Sequence, residues 1–255
     1  MRILLTGATG YIGKRLLPVL LNSGHEVICC VREKSRFPYT EGKNLEIWEH
    51  DFLHPVDINN APIHIDAAYY LIHSMSSSIG DFIDLEAQSA ENFKAYIDQT
   101  KVRQIIYLSG ITNQEKLSKH LKSRKQVEDI LNSANTAVTT LKAGIIIGSG
   151  SASFEIIRDL VEKLPVMVAP RWLNTPSQPI AIKNVIEYLK GVLLTPATFN
   201  QSFDIGGPEL LTYKQMLLKF AKVRGLRRYI LILPIMTPRL SSYWLYFVTS
   251  TSYKL

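Results

Sequence analysis

The chain has 255 residues, 46% of them hydrophobic and 20% charged, which suits one large α/β domain with a smaller appended lobe and excludes a disordered or fibrous class. Its 29 basic and 22 acidic residues leave a net charge of +7. The basic blocks Lys119-His-Leu-Lys-Ser-Arg-Lys125 and Arg224-Gly-Leu-Arg-Arg228 lack interleaved aromatics, so they read as solvated helix faces with a few phosphate-facing residues, and no nucleic-acid partner is expected.

The first element is a strand over Arg2–Thr6 that runs into glycines at 7, 10 and 13, and a helix follows over Tyr11–Asn22. A strand, a tight glycine turn and a helix N-terminus form a phosphate-binding corner. Gly7 permits the turn, Gly10 lets the backbone approach a pyrophosphate, and Gly13 lets the helix pack on the strand. Asn22-Ser-Gly24 stops the helix before a second strand, Glu26–Val31. Cys29 and Cys30 lie in that apolar run and read as buried thiols of a reducing compartment. Met1 and Arg2 lead straight into the first strand, so no cleavable leader is expected and the location expected is the cytoplasm.

Further strands are predicted over Leu45–Glu49, Ala67–Ile72, Gln104–Ser109 and Ala137–Lys142, with helices over Ser78–Thr100 and Leu121–Ser133. The Ser78 helix carries Phe82, Leu85, Ala90, Phe93 and Ile97 near one face. This alternation implies a doubly wound parallel sheet, with residues 1–150 as its core. Beyond residue 150 prolines multiply, and residues 151–255 read as a small lid or substrate lobe integrated with that core. Two elements return from the lobe towards the sheet: Gln178–Ile182 with the helix Asn184–Leu194, and Phe203–Gly207 with the helix Tyr213–Val223. The apolar stretch 229–248 is interrupted by Pro234, Pro238 and Arg239, so no membrane span is expected. It reads either as the wall of an apolar substrate pocket or as an interfacial, peripheral-membrane or partner-binding surface.

Arg32 closes the second strand, where a carboxylate would accept from the ribose 2′-OH of NAD. An arginine grips a 2′-phosphate instead, with Lys34 and Arg36 nearby. The cofactor expected is therefore NADP(H) rather than NAD(H), although a small register change would put Glu33 at the corner. Asp51 and Phe52 follow the third strand, where a carboxylate meets the adenine amino group and the next residue packs on the ring.

Thr6-Gly-Ala-Thr-Gly-Tyr-Ile-Gly13 resembles the TGxxGxxG signature of extended and atypical short-chain dehydrogenase/reductases. Tyr69-Tyr-Leu-Ile-His-Ser-Met75, Tyr107-Leu-Ser-Gly110 and Leu141-Lys-Ala-Gly-Ile-Ile-Ile-Gly148 resemble the family's fourth, fifth and sixth strands. Pro170-Arg-Trp172, Gln178-Pro-Ile-Ala181 and Asp204-Ile-Gly-Gly-Pro-Glu209 are similar to an NmrA-like, complex-I-accessory-subunit-like branch. The resemblance covers essentially the whole chain and implies a Rossmann-type fold. It implies a pyrophosphate site of Gly7, Thr9, Gly10, Tyr11, Ile12 and Gly13. It puts Arg32 on the 2′-phosphate and Asp51 and Phe52 on the adenine. Leu71, Ile72 and His73 would line the adenosine ribose and the path to the nicotinamide, with Ala143 near its amide; buried strand is the plain alternative for Leu71 and Ile72.

The family's chemistry uses a serine, a tyrosine and a lysine four residues after the tyrosine. Ser109 matches the serine, but His120-Leu-Lys-Ser-Arg124 stands where Tyr-x-x-x-Lys is expected. A histidine exchanges protons near neutrality, and a nearby arginine depresses its pKa. Two readings follow. Ser109, His120 and Arg124 make a reductase of small apolar carbonyls or enones, or the domain binds NADP(H) without turnover and reports it to a protein partner. No metal site is expected.

Overall fold

The computed structural model describes residues 1–73, 81–111 and 119–233, with the side chains of 81, 82, 119 and 120 outside the description. The strands are β1 (Arg2–Leu5), β2 (Glu26–Val31), β3 (Leu45–Glu49), β4 (Ala67–Tyr70), β5 (Gln104–Gly110), β6 (Ala137–Ala143), β7 (Ile146–Ile147), β8 (Val166–Pro170), β9 (Pro176–Ser177), β10 (Ile180–Ala181), β11 (Gln201–Ile205), β12 (Leu211–Thr212) and β13 (Tyr229–Leu233). The helices are α1 (Gly13–Asn22), α2 (Asp81–Ile97), α3 (Lys119–Asn132), α4 (Ala152–Lys163), α5 (Ile182–Gly191) and α6 (Tyr213–Val223).

Seven strands form one parallel sheet in the order β11-β6-β5-β4-β1-β2-β3. The strand order reverses between β1 and β4, and such a switch point opens a crevice at the carboxyl ends of the strands. The strands are nearly continuous apolar runs because helices cover both faces of a parallel sheet: Ile3, Leu4 and Leu5 are fully buried, as are Ala67, Ala68 and Tyr69. This is the doubly wound Rossmann-type sheet that the alternation implied.

The chain forms two compact units, Met1–Ala143 with Lys183–Ile205, and Gly144–Ile182 with the residues from Gly206 onward. The segment 183–205, placed in the C-terminal lobe by a boundary at 150, contributes α5 and β11 to the first unit. Gln104, fully buried on β5, holds it there. Its amide donates to Thr139 Oγ1 (2.7 Å) and to the Val192 carbonyl (3.0 Å), and its carbonyl oxygen accepts from Leu194 N–H (2.5 Å). Leu194 adopts φ +49°, a strained region for a leucine, and that bond helps to fix it. The Tyr69 phenol donates to the Leu189 carbonyl at 2.8 Å.

The second unit has its own core, in which α4 and α6 meet β8 and β13 through Leu160, Val161, Met167, Leu217 and Ile230. Of the apolar stretch 229–248, Tyr229–Leu233 is strand β13, parallel to β8. The remainder, with Pro234, Pro238 and Arg239, lies outside the described residues, as do residues 78–80 of the expected Ser78 helix. Among the described residues, no helix is long and apolar enough to cross a membrane.

Candidate cofactor site

A cavity of about 440 Å³ opens at the carboxyl ends of β1, β2, β4 and β5. Its centre is the glycine corner. Gly7 lies at φ +64°, and a Cβ there would sit 2.4 Å from the Leu71 carbonyl oxygen. A Cβ at Gly13 would sit 2.3 Å from the Gly7 carbonyl oxygen, so this glycine is what allows the helix to start against the turn. Gly10 is exposed and its added Cβ would be 3.1 Å from Gly7 O, so its surface is left to the cavity. The turn closes through Gly10 N–H to Gly7 O at 2.9 Å. The helix begins at Ile12 with no side-chain cap and no acidic residue in its first turn. Among the described residues, the amides of Ile12 and Gly13 donate to no backbone carbonyl. Orphaned amides at the positive end of a helix, beside a surface bare of Cβ atoms, fit a pyrophosphate.

Thr6 fixes the corner to the sheet. Its hydroxyl donates to the Tyr69 carbonyl (2.9 Å) and accepts from Leu71 N–H (3.0 Å), so β1 and the end of β4 are locked together beneath the turn. Arg15 lies over the Tyr11 ring, 3.9 Å from its centroid, and holds that side chain at the rim.

Arg32, Asp51 and Phe52 line the side of the cavity formed by β2 and β3. Glu33 does not line it; its carboxylate pairs with Arg36 at 2.8 Å and accepts from the Ser35 hydroxyl. Lys34 pairs with Glu41 at 3.0 Å, and neither Lys34 nor Arg36 is part of the cavity lining, although both side chains stay exposed nearby. Asp51 Oδ1 accepts from Leu53 N–H (3.1 Å) in a tight turn. Phe52 is 2% exposed and edge-packed on Trp48 and Phe93, so it is a floor to the cavity more than an open stacking face. His50, a lining residue that the motif reading missed, stacks on Trp48 with rings 5.1 Å apart, and burial holds its imidazole below the ordinary 6.5. Cys30 also lines the cavity, and burial pushes its thiol far up, so it is inert. Burial pushes Cys29 up to about 12.

Across β1, the opposite side is formed by Leu71, Ile72, His73, Leu108 and Arg124. Arg124 is held by its own Nη1–H, which donates to the Leu108 carbonyl at 3.2 Å, and by the Tyr107 phenol, which donates to the Arg124 carbonyl at 3.3 Å. His73 Nδ1 lies 2.7 Å from Glu86 Oε1. Thr9, Gly10, Tyr11 and Ile12 complete the rim.

Two expected residues are not part of this lining. Ala143 is 5% exposed inside the sheet, paired with Gly110 and Ile205, and its carbonyl accepts from Ile111 N–H. Ser109 is also 5% exposed, and its buried hydroxyl makes no hydrogen bond among the described residues. His120 falls in the first turn of α3, and its side chain lies outside the description. The structure therefore brings Arg124 to the cavity, keeps Ser109 buried beside it, and leaves a role for His120 without a described geometry. Among the described residues, no cluster of ligating side chains is placed to hold a metal.

A family model described as NAD(P)H-binding matches residues 7–157. Searching the curated proteins finds no match. Similar solved structures include a nucleoside-diphosphate-sugar epimerase from Staphylococcus aureus (15% identity, TM-score 0.78, 96% of this chain and 84% of that one). Another is a UDP-glucuronic acid 4-epimerase from Bacillus cereus in complex with NAD (16% identity, TM-score 0.74, 92% and 88%). A third is an NAD-dependent NDP-hexosamine 5,6-dehydratase, TunA (15%, 0.70, 92% and 85%). At such identities the likeness is one of fold. With the family model matching more than half of the chain, and the glycine corner at its start, this chain belongs to the NAD(P)H-binding family, on a Rossmann-type fold.

Proposed function

We propose that the protein is an NADP(H)-dependent oxidoreductase acting on a small, largely apolar carbonyl compound. One observation carries this reading. A single cavity runs across the switch point, with Arg32 and Asp51 on one side of the glycine corner and His73, Leu108 and Arg124 on the other. That span suits a dinucleotide, with the 2′-phosphate end at Arg32 and the reacting end towards β4 and β5. The residues present fit the group: the Ile12 and Gly13 amides would face the pyrophosphate, and Arg32 would pair with the 2′-phosphate. The nicotinamide would supply or take a hydride. Leu71, Ile72 and Leu108 offer the apolar walls that a small carbonyl substrate needs.

Two of the neighbours named above, the 4-epimerase in complex with NAD and the NAD-dependent dehydratase, hold or depend on NAD. Preference for NADP(H) rests on this chain's own Arg32 and on a Glu33 that is tied to Arg36. The test is an NADPH oxidation screen with aldehydes, quinones and enones. Turnover of one class is expected, and tight binding with no turnover of any class contradicts the reading. That second outcome favours a cofactor-sensing protein without turnover, a reading supported by His120 and Arg124 standing where the Tyr-x-x-x-Lys pair is expected.

A further inference from the structure

Glu86 sits on α2 with 3% exposure, among the most buried charged groups of the first unit. Burying a lone carboxylate is costly unless hydrogen bonds and opposite charge meet it. Here both oxygens are met: Oε1 faces His73 Nδ1 at 2.7 Å, and Oε2 accepts from the Ser123 hydroxyl on α3. Burial by itself raises the Glu86 carboxyl. The hydrogen bonds from His73 and Ser123, with the charges of His73 and Arg124, outweigh it and hold the group below the ordinary carboxylate value. An ionised Glu86 only accepts, so His73 Nδ1 carries the proton of that contact, and ring orientation and tautomer are set together. His73 itself lines the cofactor cavity.

We infer that His73, held by Glu86 and Ser123, is the proton-exchanging group of the cavity, in the role that a tyrosine–lysine pair fills elsewhere in the fold. This rests on the oxidoreductase reading above. With Nδ1 held by Glu86, proton exchange falls to Nε2. In the reducing direction, a bound reduced nicotinamide would supply a hydride to the substrate carbonyl carbon. The C=O π pair moves to oxygen, and that oxygen takes the proton from Nε2 of the imidazolium. An alcohol, oxidised cofactor and neutral imidazole result, and water returns the proton to the ring. Glu86 is a positioning residue, and its negative charge favours the imidazolium that the step begins from. Among the described residues, other groups that bear on this cluster include the Arg124 guanidinium on α3, which opposes that charge, and the buried phenols of Tyr70 on β4 and Tyr107 on β5.

Histidine ring NMR titrations of the full chain test this apart from activity. In wild type, NADP⁺ is expected to move the His73 midpoint by several tenths of a pH unit, while 2′,5′-ADP, which carries only the adenine half, leaves it in place. Glu86→Gln is expected to lower the midpoint by about 1 unit, and Glu86→Asp to restore part of it. Binding of NADP⁺ with an unmoved His73 overturns the inference, as does an unmoved midpoint in a folded Glu86→Gln protein. If Glu86→Gln does not fold, the wild-type comparison of NADP⁺ with 2′,5′-ADP still decides. Failure of NADP⁺ to bind at all is a separate outcome, which overturns the dinucleotide reading and this inference with it.

Discussion

Arg32 and Thr6 show how single side chains set the site. Arg32 lines the cavity while the neighbouring carboxylate, Glu33, is drawn off by Arg36 and Ser35. A charge-assisted hydrogen bond contributes roughly 1.5–3 kcal/mol. Arg32→Ala is therefore expected to weaken NADP⁺ binding about 10- to 100-fold while changing NAD⁺ binding little, as titrations of both cofactors would show. Thr6→Val removes the hydroxyl that joins β1 to the end of β4 and strands the Leu71 amide. A loss of about 1–3 kcal/mol in denaturant unfolding is expected, larger than for a surface threonine. Arg32 was legible because the end of β2 is marked by an apolar run that stops at Val31. The pairing of Lys34 with Glu41 and of Arg36 with Glu33 was not, since it depends on loop conformation that no local pattern encodes. His50 was missed for a similar reason: its place in the cavity depends on stacking with Trp48.

Among the elements, the glycine corner, six of the seven strands of the main sheet and helix α6 followed from periodicity and punctuation, with ends shifted by a residue or two; β11 was expected as part of the lobe. The corner is also the element least tolerant of change. Gly13→Ala would set a methyl group 2.3 Å from the Gly7 carbonyl oxygen. The helix start must then move off the turn, with an expected loss of about 1–3 kcal/mol and of measurable cofactor binding. Gly24→Ala, with open space around its Cβ but φ +78°, is expected to cost stability and leave cofactor affinity unchanged. Helix α4 was not anticipated, although Ser151 caps it by accepting from Phe154 N–H at 3.2 Å and Ile157, Leu160 and Val161 make its buried face. On α2 the signal lay in the pattern itself. Glu86 stands four residues before Ala90 on the face that buries Ala90, Phe93 and Ile97, where a carboxylate is costly and so calls for a partner.

For the molecule as a whole, the sheet order with its reversal between β1 and β4 places the crevice, and alternation of strands and helices was enough to anticipate it. What alternation does not encode is the return of Lys183–Ile205 to the first unit, which depends on the long-range bonds of Gln104 and Tyr69. The same buried polar groups shape the pH dependence of stability. Glu86 is held below 4.5 in the folded chain, so its contribution is complete above about 4.5 and is lost as pH falls through the lower folded value. Burial raises Tyr69, Tyr70 and Tyr107 above the ordinary 10.0, so their contribution is complete below that value and is lost as pH rises towards the folded ones. Burial holds His50 and His25 below 6.5, so their contribution is lost as pH falls below that value, and thermal melts are expected to show a plateau only between about pH 7 and 9, with falls on both sides.

The most direct test of the site as a whole is a pair of calorimetric titrations of the wild-type chain with NADP⁺ and NAD⁺ at one ionic strength. One-to-one binding with NADP⁺ at least about 10-fold tighter is the result that Arg32 and the glycine corner require. Equal affinity for the two, or no binding of either, contradicts the account.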